Sequence, residues 1–116
     1  MPKIQTRELA IQLTIDVTDL CDKVHGRKIY TDQVMRSASS IGANISEAKY
    51  AQSSADLVNK LEIALKECSE TEYWLETLYK IKSIDKTDYD KLVHDCGVIR
   101  RTLISSITTT KQRYNL

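Results

Sequence analysis

Between residues 57 and 78, apolar and small residues return at Leu57, Leu61, Ala64, Cys68, Thr71, Leu75 and Leu78, in steps that alternate four and three without a break. Only an α-helix carries such positions on one side. A seven-residue period kept this long favours the shallow crossings of helical bundles, about 20°, over steeper packing. The flanking sequence repeats the pattern. Leu9, Leu13, Val17, Leu20 and Val24 mark a helix over about 5–25 with Thr6 as a candidate N-cap. Val34, Ala38, Ile41, Ile45 and Ala48 mark a second over about 31–50, starting at Thr31 and Asp32. Ser53 with Asp56 three residues on is an acidic capping box for the third helix. Asp85 and Asp88 open a fourth, where carboxylates complement the helix dipole, and Tyr89, Leu92, Cys96, Ile99, Leu103, Ile107 and Thr110 carry its stripe. Long helices joined by connections of a few residues must lie antiparallel to their neighbours. The sequence therefore predicts an all-α, antiparallel up-down-up-down four-helix bundle, a single domain over 1–116.

Composition agrees with this reading and narrows the function. Three glycines and one proline in 116 residues leave few of the breakers that a sheet-containing chain uses at its turns. Seventeen Lys and Arg against sixteen Asp and Glu give a net charge of +1, so a polyanion site must arise from local clustering. Cys21, Cys68 and Cys96 lie far apart without CxxC spacing, which points to buried free thiols rather than disulfides or a zinc knuckle. No apolar run approaches a membrane span, and the start, MPKIQTRELA, meets charge before a signal-like core can form, so a cytoplasmic location is expected.

No catalytic or cofactor-binding arrangement emerges, and the expectation is a non-enzyme without a cofactor. The chain has no Glu-x-x-His, as a di-iron bundle needs; Asp22-x-x-His25 beside Gly26 reads as a helix exit with a solvated histidine. Ser37, Ser39 and Ser40 have no histidine at their level, and His94 stands alone. Counting outward from the turns places Arg36 opposite Glu67 and Trp74 opposite His94. The same count sets Cys21, Met35 and Cys68 on one level with Cys96 about one turn away. That cysteine level suits a soft metal in principle, but an apolar core layer accounts for it without a ligand. The stretch RSASSIGANISEA, 36–48, is dense in small residues, so a bulky neighbour is expected to dock against it, with Tyr73 and Trp74 of the third helix as candidates.

SIGANISEA followed by LEIALKECSETEYWLE resembles the bacterial four-helix bundle family first described as proteins of intervening sequences in 23S ribosomal RNA genes. The resemblance spans nearly the whole chain. It implies a homopentameric ring of antiparallel bundles, similar to the accessory protein of diversity-generating retroelements, which binds a reverse transcriptase and nucleic acid. Where relatives often carry proline at the start of the second helix, this chain has Tyr30, Thr31 and Asp32.

Two residue sets bear on such an assembly. Ile4, Ile11 and Ile15 fall roughly opposite Leu9, Leu13 and Leu20, and Ile104 widens the apolar side of the last helix; together they are candidates for an oligomer interface, a broadened single core being the competing reading. From Cys96 to the end the chain carries Arg100, Arg101, Lys111 and Arg113 and no acid. An up-down-up-down topology adds Lys3 and Arg7 of the first helix, making a candidate basic rim for RNA or DNA. The competing reading of the rim is a solvated face. The expected function is a structural or adaptor module that assembles with itself into a cyclic homo-oligomer and binds a macromolecule, with RNA, DNA or a nucleic-acid enzyme as candidate partners and no membrane. A protein-only interaction module and, far behind, a metal- or small-molecule-binding bundle are the alternatives.

Overall fold

A computed structural model describes residues 3–116, with side chains described from Gln5 onward. Its elements are α1 (Lys3–Asp22), α2 (Lys28–Ala48), α3 (Ser54–Lys80) and α4 (Lys86–Tyr114). The third and fourth helices begin where their caps predict. Ser53 Oγ accepts a hydrogen bond from Asp56 N at 3.0 Å while the Asp56 carboxylate accepts from Gln52 N at 3.1 Å, and the Asp85 carboxylate accepts from Asp88 N at 2.8 Å.

The first two helices begin earlier than their expected caps. Thr6 lies inside α1 and is buried, on the side shared with Ala10 and Leu13, so burial rather than capping explains it. Helix α2 follows Arg27, which makes no side-chain cap. The Thr31 hydroxyl lies 3.3 Å from the Arg27 carbonyl and 3.2 Å from that of Lys28, the position of a residue already one turn into a helix. An i,i+4 ion pair, Lys28 to Asp32 at 2.6 Å, supports the added turn.

Cross-helix contacts fix the direction of every neighbour. Arg7 meets Ser46, and Thr14 meets the carbonyl of Ala38, so α1 and α2 are antiparallel. Tyr30 meets Trp74 and Arg36 meets Glu67 for α2 and α3; Glu62 meets Lys111 and Glu72 meets Arg100 for α3 and α4. Asp16 meets Lys91 and Lys23 meets Asp88, which closes α4 against α1. Each helix packs on two others, and among the described residues no contact crosses the diagonal. The result is an up-down-up-down prism of 47 × 21 × 20 Å.

The core stripes follow the expected periods with local shifts. Helix α1 buries Ala10, Leu13, Val17, Leu20 and Cys21, leaving Leu9 and Val24 packed at its edge. Helix α3 buries Val58 rather than Leu57 in its first turn and then keeps Leu61, Ala64, Cys68, Thr71, Leu75 and Leu78. A straight helix drifts by about 20° per heptad relative to a strict seven-residue repeat, and that drift rotates Leu57 to the flank. Helix α4 buries Leu92, Cys96, Gly97, Ile99, Leu103, Ile107 and Thr110, with Tyr89 half-buried.

The small-residue stretch admits a helix rather than a ring. A Cβ added to Gly42 would stand 3.4 Å from the Ala10 Cβ, so α1 lies close against this part of α2. Tyr73 is exposed instead, and Trp74 is half-buried between Tyr30 and Tyr73, at ring-centroid distances of 6.0 and 4.9 Å. The expected opposition of Trp74 and His94 therefore does not hold. Trp74 shares the flank of Glu67 and Glu70, which faces α2, and His94 is exposed on α4.

Candidate nucleic-acid interface

The start of α1, the end of α4 and the α2–α3 turn share one end of the prism, and an open cleft of about 890 Å³ is cut into it. Ile45, Ala48 and Leu57 form its apolar floor; Arg7, Lys49, Tyr50 and Tyr114 stand around it, and no carboxylate is among the lining residues. Local chemistry explains the shape. Helix α2 stops at Ala48, the Ser53 cap starts α3 at once, and the short turn leaves Lys49 and Tyr50 projecting beyond both helices. Opposite, α4 ends in a left-handed Asn115 (φ 60°), with Leu116 N donating to the Lys111 carbonyl at 2.9 Å.

The five expected rim cations whose side chains are described do not form one patch. Arg7 faces α2, donating from Nε to Ser46 Oγ at 3.0 Å, with Glu8 at 3.4 Å from its Nη1. Arg100 faces α3 and is held by Glu72 at 3.1 Å; Lys111 also faces α3, 3.3 Å from Glu62. Arg101 and Arg113 are exposed and have no ion pair among the described residues. The Lys3 side chain lies outside the described residues. Arg7 thus lines the cleft, Arg113 adjoins it through Tyr114, and Arg100 and Arg101 sit on the middle turns of α4. Lys49, Tyr50 and Tyr114 were not among the sequence candidates. Their signal was present: a cation and an aromatic ring at the end of an amphipathic pattern, outside every core stripe.

The expected interface isoleucines that the structure describes are all open to water: Ile11 is 38%, Ile15 47% and Ile104 45% exposed. The Ile4 side chain lies outside the described residues. The broadened-core reading fails for the other three, since none of them is buried.

Elsewhere the polar groups serve packing. Arg36 bridges Glu67 at 3.2 Å and Glu70 at 2.7 Å, the first pairing being the one that turn counting predicts. Those hydrogen bonds raise the guanidinium pKa, and Glu70 is held below its ordinary value by its hydrogen bonds to Glu67 and Arg36. The three cysteines do not converge on one site: Cys68 and Cys96 adjoin, and Cys21 stands apart. Cys68 Sγ lies 3.2 Å from the Cys96 carbonyl, whereas Cys21 Sγ lies 3.9 Å from the Thr31 carbonyl. Burial, with Asp22 and Asp32 nearby, pushes the Cys21 thiol up to about 11; the Cys68 contact and burial raise that of Cys96. No group of three or more His, Cys, Asp or Glu placed to hold a metal ion occurs among the described residues.

Residues 3–105 match the 23S rRNA-intervening sequence proteins. The chain belongs to that family. A crystal structure of a protein of unknown function, of the S23 ribosomal protein family from Bacteroides thetaiotaomicron, is similar to it at 38% identity. That similarity has a TM-score of 0.88 and covers 93% of this chain and 99% of the other. No curated protein matches the sequence. Membership in the intervening-sequence family fits a helical bundle in which no described helix is long and apolar enough to cross a membrane.

Proposed function

We propose that this member of the intervening-sequence family is a non-enzymatic adaptor that closes into a cyclic homo-oligomer and holds RNA or DNA at the basic end of the bundle. The observation that carries the reading is the pairing of two surfaces. Ile11 and Ile15, on the stripe of α1 that carries Arg7, and Ile104, on the stripe of α4 that carries Arg100, are exposed on two separate flanks, and the cleft is lined by Arg7 and Lys49 and by no acid. Two different apolar flanks suit a head-to-tail contact between copies, and a closed ring would repeat the end of the bundle around one rim, so that modest patches act together. The resemblance gives five as the number of copies. Two measurements test the proposal. Light scattering of the wild type should give a closed oligomer, and Ile11→Lys with Ile15→Lys should release folded monomers. Labelled RNA or DNA should shift at low salt and lose affinity steeply as salt rises, because phosphate contacts release counterions. A wild type that is monomeric at high concentration overturns the ring.

The second reading is a protein-only adaptor. It is favoured by the pairing of Arg100 and Lys111 with acids of the same chain, which leaves fewer cations for phosphate. Wild-type protein that shifts neither RNA nor DNA at low salt selects this reading.

A further inference from the structure

The cleft at the chain ends has more than charge. Tyr50 is 78% and Tyr114 50% exposed, and neither ring meets another aromatic among the described residues, whereas the Tyr79 and Tyr89 rings stack on each other at 4.5 Å. Rings left in water contribute little to folding, so their place beside an apolar floor calls for another explanation. The floor is Ile45 and Leu57, and the cations at hand are Arg7 and Lys49 on the lining with Arg113 next to Tyr114. The acids of the adjoining turn, Glu47 and Asp56, line the neighbouring hollow on the other side of Tyr50 rather than the cleft, and the Asp56 carboxylate accepts from Gln52 N.

We infer that this cleft seats unpaired nucleotides of a single-stranded nucleic acid, with bases stacked on Tyr50 and Tyr114 and phosphates held by Lys49 and Arg113, which have no ion pair among the described residues, while Arg7 stays with Glu8 and Ser46. The inference rests on the proposed nucleic-acid reading and narrows it. A base offers its face only when it has left a duplex, and stacking on aromatic rings between cations is how grooves of this chemistry hold single strands without reading sequence. A duplex keeps its base faces stacked inside, so it can use the cations but not the tyrosine rings. The apolar floor would be wasted on it.

The experiment is anisotropy titration of the full chain with a labelled single-stranded RNA of about ten nucleotides, a length within the range such grooves cover, and with a duplex of the same length. Wild type should bind the single strand more tightly. Tyr50→Ala and Tyr114→Ala should each weaken it by about fivefold or more, since stacking of one base contributes at least that much. Their salt dependence should stay unchanged, and Tyr50→Phe and Tyr114→Phe should retain the affinity. Both tyrosines are exposed, and unchanged circular dichroism of the variants excludes a folding effect. Duplex bound as tightly as single strand, with both alanine variants at wild-type affinity while Lys49→Glu with Arg113→Glu abolishes binding, overturns the stacking site and leaves the basic end standing. Wild type that binds neither probe at low salt overturns both.

Discussion

Arg36 shows what a residue pair contributes when one partner is withdrawn from water. The Glu67 side chain is only 15% exposed, while the Arg36 and Glu70 side chains are more open at 50% and 38%. Exposed pairs contribute about 0 to 1 kcal/mol, and the shielding of Glu67 places this one near the upper end of that range. A double-mutant cycle in urea with Arg36→Ala and Glu67→Ala should give a coupling of about 1 kcal/mol; no coupling would mean that the pair only decorates the α2–α3 seam. The Glu70 pKa lies below its unfolded value, so its contribution is present above the ordinary carboxylate pKa and is lost as pH falls through the depressed folded one. Deeper in the same seam the Ser37 and Thr71 hydroxyls meet at 2.9 Å, each also beside a backbone carbonyl: Val34 at 3.2 Å for Ser37, Glu67 at 2.9 Å for Thr71. Thr71→Val keeps the shape and leaves Ser37 its carbonyl, so it should cost about 1 kcal/mol by urea midpoint. The three thiols are buried, and two of them are held protonated at neutral pH. They should resist alkylation in native buffer and react together once guanidinium unfolds the chain.

At the scale of elements, the sequence is legible wherever capping chemistry and periodicity coincide, as at Ser53 and Asp85. It misleads where tertiary contact overrides the local signal. Thr31 looks like a cap and is a buried residue one turn inside α2; Thr6 does the same in α1. The α3–α4 turn carries a further signal that composition hides. Ser83 N donates to the Leu78 carbonyl and Lys82 N to that of Tyr79, both at 2.9 Å, with Lys82 left-handed at φ 62° in a position that glycine usually fills. The left-handed conformation costs an L-residue about 1 to 2 kcal/mol, so Lys82→Gly should raise stability by up to about that amount, less the glycine's added freedom when unfolded. Gly97 of α4 is the opposite case. A Cβ there would stand 3.2 Å from Nη1 of Arg101, the far end of a flexible side chain that can move aside. Gly97→Ala should therefore gain most of the roughly 1 kcal/mol by which alanine exceeds glycine in a helix, seen as a higher urea midpoint. At Gly42 a large residue such as leucine would force α1 away and cost about 1 to 3 kcal/mol.

At the scale of the whole molecule, the candidate site was only partly legible because a cation is available to a ligand only if no acid of its own protein holds it. That depends on contacts between helices distant in sequence. Arg100 and Lys111 are drawn to Glu72 and Glu62, while Lys49, Tyr50 and Tyr114 come together only when the α2–α3 turn meets the end of α4. The same accounting shows a second basic end. At the opposite tip Arg27, Lys80 and Lys82 have no ion pair among the described residues, and Arg27 Nε ties the two turns together through Ser83 Oγ at 3.1 Å. The prism is 47 Å long, several times the Debye length of about 8 Å at physiological salt, so the two ends act as separate electrostatic surfaces. Antiparallel helices place opposite dipole ends side by side at each tip, so neither tip gains a net advantage from the backbone. What distinguishes them is the acid-free cleft at the chain ends. Lys80→Glu with Lys82→Glu changes the net charge by the same amount as Lys49→Glu with Arg113→Glu, which separates site from total charge. The first pair should leave affinity for single-stranded RNA within about twofold of wild type, whereas the second should abolish it and flatten the salt dependence. Equal losses from both pairs would show that the bundle attracts polyanions through its overall charge and that the cleft holds no site.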